Sequence, residues 1–215
     1  VDNVEVEDST GSVTVNDIQS AATALHADDV VDAAATLTYN FDAQAVVGTA
    51  DNVSLTVSEV TAGVAVTGGT IETLTVNIAD VSTNAESTLA DLTATGNTKL
   101  VIKGGTDTFD FGITGDLDVT LTTVDASLAA SDLTLNMTDA DRAEATITLG
   151  TGDDQLNLGD TLDEDKIVGG AGADEVDADL TTTGTRMPTM SEVETLDLTF
   201  DESATLDMRN VDDVA

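Results

Sequence analysis

Residues 169–177 read Gly-Gly-Ala-Gly-Ala-Asp-Glu-Val-Asp, and they fit the nonapeptide pattern GGxGxDxUx, in which U is a large aliphatic residue. Glycine reaches positive φ at no steric cost, so such a run can curl until its backbone carbonyls converge on one point. The carboxylate of Asp174 adds a further oxygen there, and hard oxygen ligands gathered at one point suit Ca²⁺. Val176 is the residue expected to turn inward and anchor the strand that follows. The competing reading of the same residues is an ordinary glycine-rich β-turn with a solvated acid.

One such loop supplies half a coordination shell, so a second loop must stack against it. Residues 149–157, LGTGDDQLN, place Gly150, Gly152, Asp154 and Leu156 at the matching positions and lack only the first glycine. Gly150 and Gly170 are 20 residues apart, close to the length of one coil built from two nonapeptides. The half-coil between them, Asp160 to Val168, keeps Asp165 and Ile167 in phase without the glycines, and the inserted Leu158-Gly159 accounts for the extra length. Asp154 and Asp174 are therefore expected on one edge, one coil apart, with a single Ca²⁺ between them, and Asp165 on the opposite edge. Lys103 to Gly112 is a weaker echo: Gly104, Gly105 and Asp107 are present but the third glycine is not, which favours a plain turn.

The elements that must hold these loops are strands. Aliphatic residues alternate at Val53, Leu55, Val57; Leu74, Val76, Ile78; Leu117, Val119, Leu121; Leu133, Leu135, Met137; and Leu196, Leu198, with Gly, Asn and Asp between the runs. The fold class expected is all-β, a parallel β-solenoid with calcium-binding Gly/Asp turns. A longer similarity points the same way: residues 52–92 resemble residues 174–211, with IETLTV at Ile71 answering VETLDL at Val193, 122 residues later. Residues 46–215 are read as the solenoid and residues 1–45 as a separate segment of mixed strand and short helix. The Ala-rich run after Asp17, with Ile18, Ala22 and Leu25 at helical spacing, suggests a helical cap.

Composition bounds the function. The 215 residues carry 42 acids against 6 bases, a formal net charge of -36, and 31 of the acids are Asp. Such a chain repels nucleic acid and anionic membranes, and without cations it repels itself. No apolar run is long enough for membrane insertion. Cysteine is absent, aromatics are 2% of the residues, and His26 is the one histidine. A His-dependent triad and a His-ligated zinc site are therefore excluded, and carboxylate pairs such as Asp153-Asp154 or Asp212-Asp213 arise readily by chance in a chain this acidic. The chain reads as a non-enzyme, processed or cut from a larger protein.

The nonapeptides resemble the repeats-in-toxin β-rolls of secreted bacterial proteins, and the strands around them are similar to bacterial surface-layer (S-layer) proteins that carry such repeats. The stretches concerned are GTADNVSLTV (residues 48–57), VETLDL (residues 193–198) and LTATGNTKLVIKGG (residues 92–105). The resemblance implies that the carbonyls of Gly150, Thr151, Gly152, Gly169, Gly170, Ala171 and Gly172 join Asp154 and Asp174 as Ca²⁺ ligands. It further implies an extracellular, cell-surface structural module that assembles with itself into an oligomer or lattice, with cell-surface polysaccharide as a second partner. An adhesin, filament or phage-appendage solenoid is the alternative. The calcium-folding roll of a secreted enzyme would carry more intact nonapeptides than the two seen here.

Overall fold

The computed structural model describes residues 1–79, 86–139, 142–160, 162–181, 183–200 and 203–212. Residues 80–85 of the first repeat, residues 182, 201 and 202 of the second, and Asp213 lie outside the described residues.

Strands one coil apart pair in parallel, so each satisfies its backbone groups from the strand before and the strand after. The first three coils contribute β1 (Asn3–Glu7) and β2 (Val13–Ile18), β3 (Ala24–Val30) and β4 (Thr36–Phe41), then β5 (Asn52–Val60) and β6 (Gly63–Thr67). The fourth coil carries β7 (Thr73–Ile78), β8 (Ser87–Leu89) and β9 (Leu92–Ala94). Next come β10 (Lys99–Gly104) with β11 (Phe111–Asp116), β12 (Thr123–Ala129) with β13 (Leu133–Asn136), and β14 (Thr146–Thr148) with β15 (Gln155–Gly159). The last coils hold β16 (Lys166–Val168), β17 (Glu175–Leu180) and β18 (Gly184–Arg186), then β19 (Thr189–Ser191), β20 (Thr195–Phe200) and β21 (Ala204–Leu206).

The result is a parallel β-solenoid of about eight turns. One nine-stranded sheet, β1-β3-β5-β7-β10-β12-β14-β16-β19, runs its whole length and is called the long sheet below. A six-stranded second sheet, β8-β11-β13-β15-β17-β20, faces it in the C-terminal half, and a four-stranded third sheet, β2-β4-β6-β9, in the N-terminal half. Inward residues stack in aliphatic columns. Val53, Leu74, Leu100, Val124, Ile147, Ile167 and Met190 form one on the long sheet, and Leu89, Ile113, Leu135, Leu156, Val176 and Leu196 form another on the second. All but the last member are buried. Aliphatic side chains at a constant rise fill most of the interior, with Tyr39, Phe41 and Phe111 as its buried aromatics, so few aromatics are needed.

Two expectations are corrected. Residues 17–35 hold no helix: Ala24–Val30 is strand β3, with Leu25, Ala27 and Val30 buried and the intervening residues facing outward. The Ala-rich run has modest helix propensity, but β3 is paired on both sides, to β1 and β5, and that pairing outweighs it. The first two coils thus stack directly on the third. Leu117 and Leu121 are buried but bracket a turn in which Leu121 N–H donates to Asp118 O, so Leu117–Leu121 is not a strand. The two similar segments at Ile71 and Val193 lead into different faces, Leu74 in the long sheet and Leu196 in the second. Among the described residues the one helical turn is the 3-10 segment Met208–Asn210, and no helix is long and apolar enough to cross a membrane.

Candidate functional site

The corner between the long sheet and the second sheet carries both glycine loops. Coils seven and eight are 20 residues apart in both sheets, with Ile147 paired to Ile167 and Leu156 to Val176. The extra residue of this coil is absorbed as a bulge in β15 between Asn157 and Gly159, whose φ is 52°. Thr134, Gln155, Glu175 and Thr195 are in register, so the residues just before them form a column: Leu133, Asp154, Asp174, Glu194. This column points inward. Below, it is apolar; at Asp154 it turns acidic.

Both aspartates are withdrawn from water, Asp154 to 1% exposure and Asp174 to 0%. Their carboxylates cap backbone amides of their own coil and of the coil before. Leu133 N–H donates to Asp154 Oδ1 at 2.8 Å and Gly150 N–H to Oδ2 at 2.9 Å. Asp154 N–H in turn donates to Asp174 Oδ1 at 2.9 Å, and Asp174 N–H donates to Glu194 Oε2 at 2.8 Å. Asp174 Oδ2 is buried with no hydrogen-bond partner. Among the described residues no lysine, arginine or histidine forms an ion pair with either aspartate.

Burial without a counter-charge raises the affinity of these groups for a proton. Burial is the main cause at Asp154, aided by the negative charges of Asp174 and Asp132 and opposed by the two amide hydrogen bonds; its pKa is pushed up to about 6. Asp174 shifts upward too, again chiefly through burial, with Glu194, Asp153 and Asp132 adding to it and the Asp154 amide opposing. At neutral pH the corner holds carboxylates that would be more stable with a proton or a cation.

The glycines make room for this arrangement. A Cβ on Gly169 would stand 1.7 Å from the Glu192 carbonyl oxygen and 2.6 Å from Asp174 Oδ2, so those two oxygens converge on the space its missing side chain leaves. Gly170, at φ 111°, brings its backbone against the Gly150 carbonyl, which a Cβ would meet at 2.0 Å. The Gly150 carbonyl accepts Ala171 N–H at 3.2 Å, and Gly169 N–H donates to Ser191 O at 3.0 Å. The Gly152 carbonyl lies beneath Gly172. The Gly150 and Gly152 carbonyls thus run coil to coil along the solenoid, and the carbonyl that comes close to Asp174 Oδ2 at Gly169 is that of Glu192, which is not one of the seven expected. Thr151 N–H donates to Ala129 O, and Ala171 is exposed.

The remaining candidates separate. Asp165 lies on the other long-sheet edge, just before β16, at 0% exposure. Arg142 grips it with both guanidinium nitrogens, Nη1 to Oδ1 at 3.0 Å and Nη2 to Oδ2 at 2.9 Å, and Ala145 N–H donates to Oδ1 at 2.7 Å. Its valences are filled from within the chain. Asp107 is exposed in a turn closed by Phe109 N–H on Thr106 O, away from the inward column.

Three residues of these two corners had not been singled out: Arg142, Glu192 and Glu194. Glu194 stands 20 residues after Asp174, as Asp174 stands 20 after Asp154, and counting one more coil would have found it. Asp132 and Asp153 form a second, outer ladder, Asp132 Oδ1 accepting Asp153 N–H at 2.8 Å and Asp153 Oδ1 accepting Ala173 N–H at 2.7 Å.

No protein-family model, curated protein or solved structure matches the chain. Among the described residues no three His, Cys, Asp or Glu side chains gather as a ready-made metal cage. What fits a hard cation is the chemistry of the corner: oxygen donors only, one of them buried and unpartnered, with the Glu192 carbonyl drawn close against the glycine backbone beside it.

Proposed function

We propose that this chain is a calcium-stabilised structural module of a bacterial cell-surface protein of the S-layer kind, one that assembles with copies of itself. The observation that carries the reading is the pair Asp154 and Asp174: two buried carboxylates one coil apart, with no side-chain cation on either and one oxygen left unpartnered. Asp174 Oδ2 and the Glu192 carbonyl would hold the ion directly, with Glu194 and Asp153 in reach of its field. Bound there, Ca²⁺ supplies the positive charge that the chain's own residues lack at this corner.

The chain's residues do the rest. Asp154 Oδ1 ties coil seven to coil six through Leu133 N–H, and Asp174 Oδ1 ties coil eight to coil seven through Asp154 N–H. Both ties require the aspartates to stay inside, and a neutralised corner keeps them there. For an extracellular site binding near 10⁻⁴ M, millimolar calcium would add about 1 kcal/mol per ion. The same neutralisation is needed between molecules, since surfaces with a net charge of -36 repel at any approach not bridged by cations.

The test is thermal melting by circular dichroism in EDTA, in millimolar Ca²⁺, and in Mg²⁺ at matched ionic strength, followed by electron microscopy of each sample. The reading expects a rise in melting temperature specific to Ca²⁺, with ordered arrays in the same condition. Equal responses to Ca²⁺, Mg²⁺ and monovalent salt would reduce the chain to a salt-adapted solenoid.

A further inference from the structure

The outer face of the long sheet contains a trough of about 300 Å³, walled by the segment 21–24 and floored by Asn52, Ser54, Thr75 and Lys103. Its size is at the lower end of small-molecule sites. The chain has 42 acidic side chains, yet among the described residues none lines this trough, and Lys103 is the one charged residue there.

The hydrogen-bond polarity of the floor is set by cross-strand side-chain pairs. Asn77 Nδ2 donates to Ser54 Oγ at 2.8 Å, so the Ser54 hydroxyl proton is left to donate elsewhere. Thr75 Oγ1 donates to Asn52 Oδ1 at 3.1 Å, which leaves the Asn52 amide group as a donor. With the Lys103 ammonium these make three kinds of donor on one floor: hydroxyl, amide and charged amine. Ala21, Ala22 and Ala24 supply an apolar wall beside them. A donor-rich floor with one positive charge matches an oxyanion, and a methyl-lined wall matches the C–H face of a compact ring.

We propose that this trough binds the carboxylate of a uronic-acid sugar unit. The carboxylate accepts from Lys103 Nζ, Ser54 Oγ and the Asn52 amide, the ring lies along the alanine wall, and a ring hydroxyl donates to Thr75 Oγ1. The site stands on the outer face, away from the glycine loops, and does not rest on the calcium reading.

The test is a titration of the whole chain with D-glucuronate, followed by backbone amide NMR, in EDTA and 0.15 M salt, with D-glucose as the neutral control. Working in EDTA separates failure here from failure of the calcium reading. The expected result is saturable shifts at residues 21–24, 52–54, 75 and 103 with glucuronate and none with glucose. Lys103→Gln should weaken glucuronate about tenfold, the loss of one hydrogen bond to a charged group, while Lys103→Arg retains most of the affinity and both variants keep the wild-type circular dichroism. Absence of saturable shifts at tens of millimolar glucuronate would overturn the proposal. So would equal binding of glucose, or undiminished binding by Lys103→Gln.

Discussion

Two corners of this solenoid bury aspartate, and they treat the charge differently. At one, Asp165 sits at 0% exposure under a bidentate Arg142, with the Ala145 amide completing its shell. At the other, Asp154 and Asp174 are buried as deeply and receive only backbone amides, with one oxygen unserved. The chain has 6 basic residues for 42 acids, and of the three acids buried among the described residues only Asp165 has one as a partner. Where it spends an arginine the coil is closed by its own residues. Where it uses glycines, the backbone of the next coil packs close beside a bare carboxylate, and in the reading proposed above the counter-charge comes from the medium. A third treatment appears in the first coils, where Asp8, Asp29 and Glu59 turn the chain at positive φ; Asp8 and Asp29 stay exposed, and the hydrogen bond between their carboxyl groups, aided by the neighbouring acids, raises Asp29's affinity for a proton at the surface, where water can screen the charge.

The contrast breaks first at Arg142. Arg142→Met strands a buried Asp165 and should cost about 3–5 kcal/mol in denaturant unfolding, with no recovery on adding calcium. If calcium did restore it, the two corners would not differ in kind.

The next effect is in pH. A carboxyl whose folded pKa is raised binds more protons folded than unfolded, so its contribution favours folding at low pH and is lost as pH rises. For Asp154 the window runs from the ordinary aspartate value to its folded value of about 6. Near pH 7 without divalent ions this site should therefore cost about 2 kcal/mol relative to pH 4. Carboxyl carbon NMR of the calcium-free protein should find an aspartate titrating near 6, and calcium should abolish that midpoint by holding the ionised form.

Gly169→Ala should cost about 1–3 kcal/mol, because its Cβ falls against the Glu192 carbonyl, and should remove the calcium response as well. A variant that lost stability but kept a full calcium response would move the ion away from this space. Smallest is Asp107→Asn, within about 0.5 kcal/mol and without effect on calcium, since that side chain is exposed in a turn.

Much of the architecture could be read from side-chain alternation, because a stacked strand shows its buried face directly, as at Val53, Leu55 and Val57 or at Leu133 and Leu135. The 20-residue step between Gly150 and Gly170 was enough to set Asp154 beside Asp174. What the sequence hid was long-range pairing. Ala24–Val30 looks helical until β1 and β5 flank it, and the Arg142–Asp165 clamp joins residues 23 apart with no local signature. The repeat spaced by 122 residues pointed to the solenoid, while its two copies lie on different faces, Leu74 in the long sheet and Leu196 in the second.

The most direct test of the central claim is calcium anomalous scattering from crystals of the whole chain grown in millimolar calcium. The account predicts a peak about 2.3–2.6 Å from Asp174 Oδ2, on the side of the Glu192 carbonyl. An empty corner in those crystals, with Asp154 and Asp174 still held by amides alone, would contradict it.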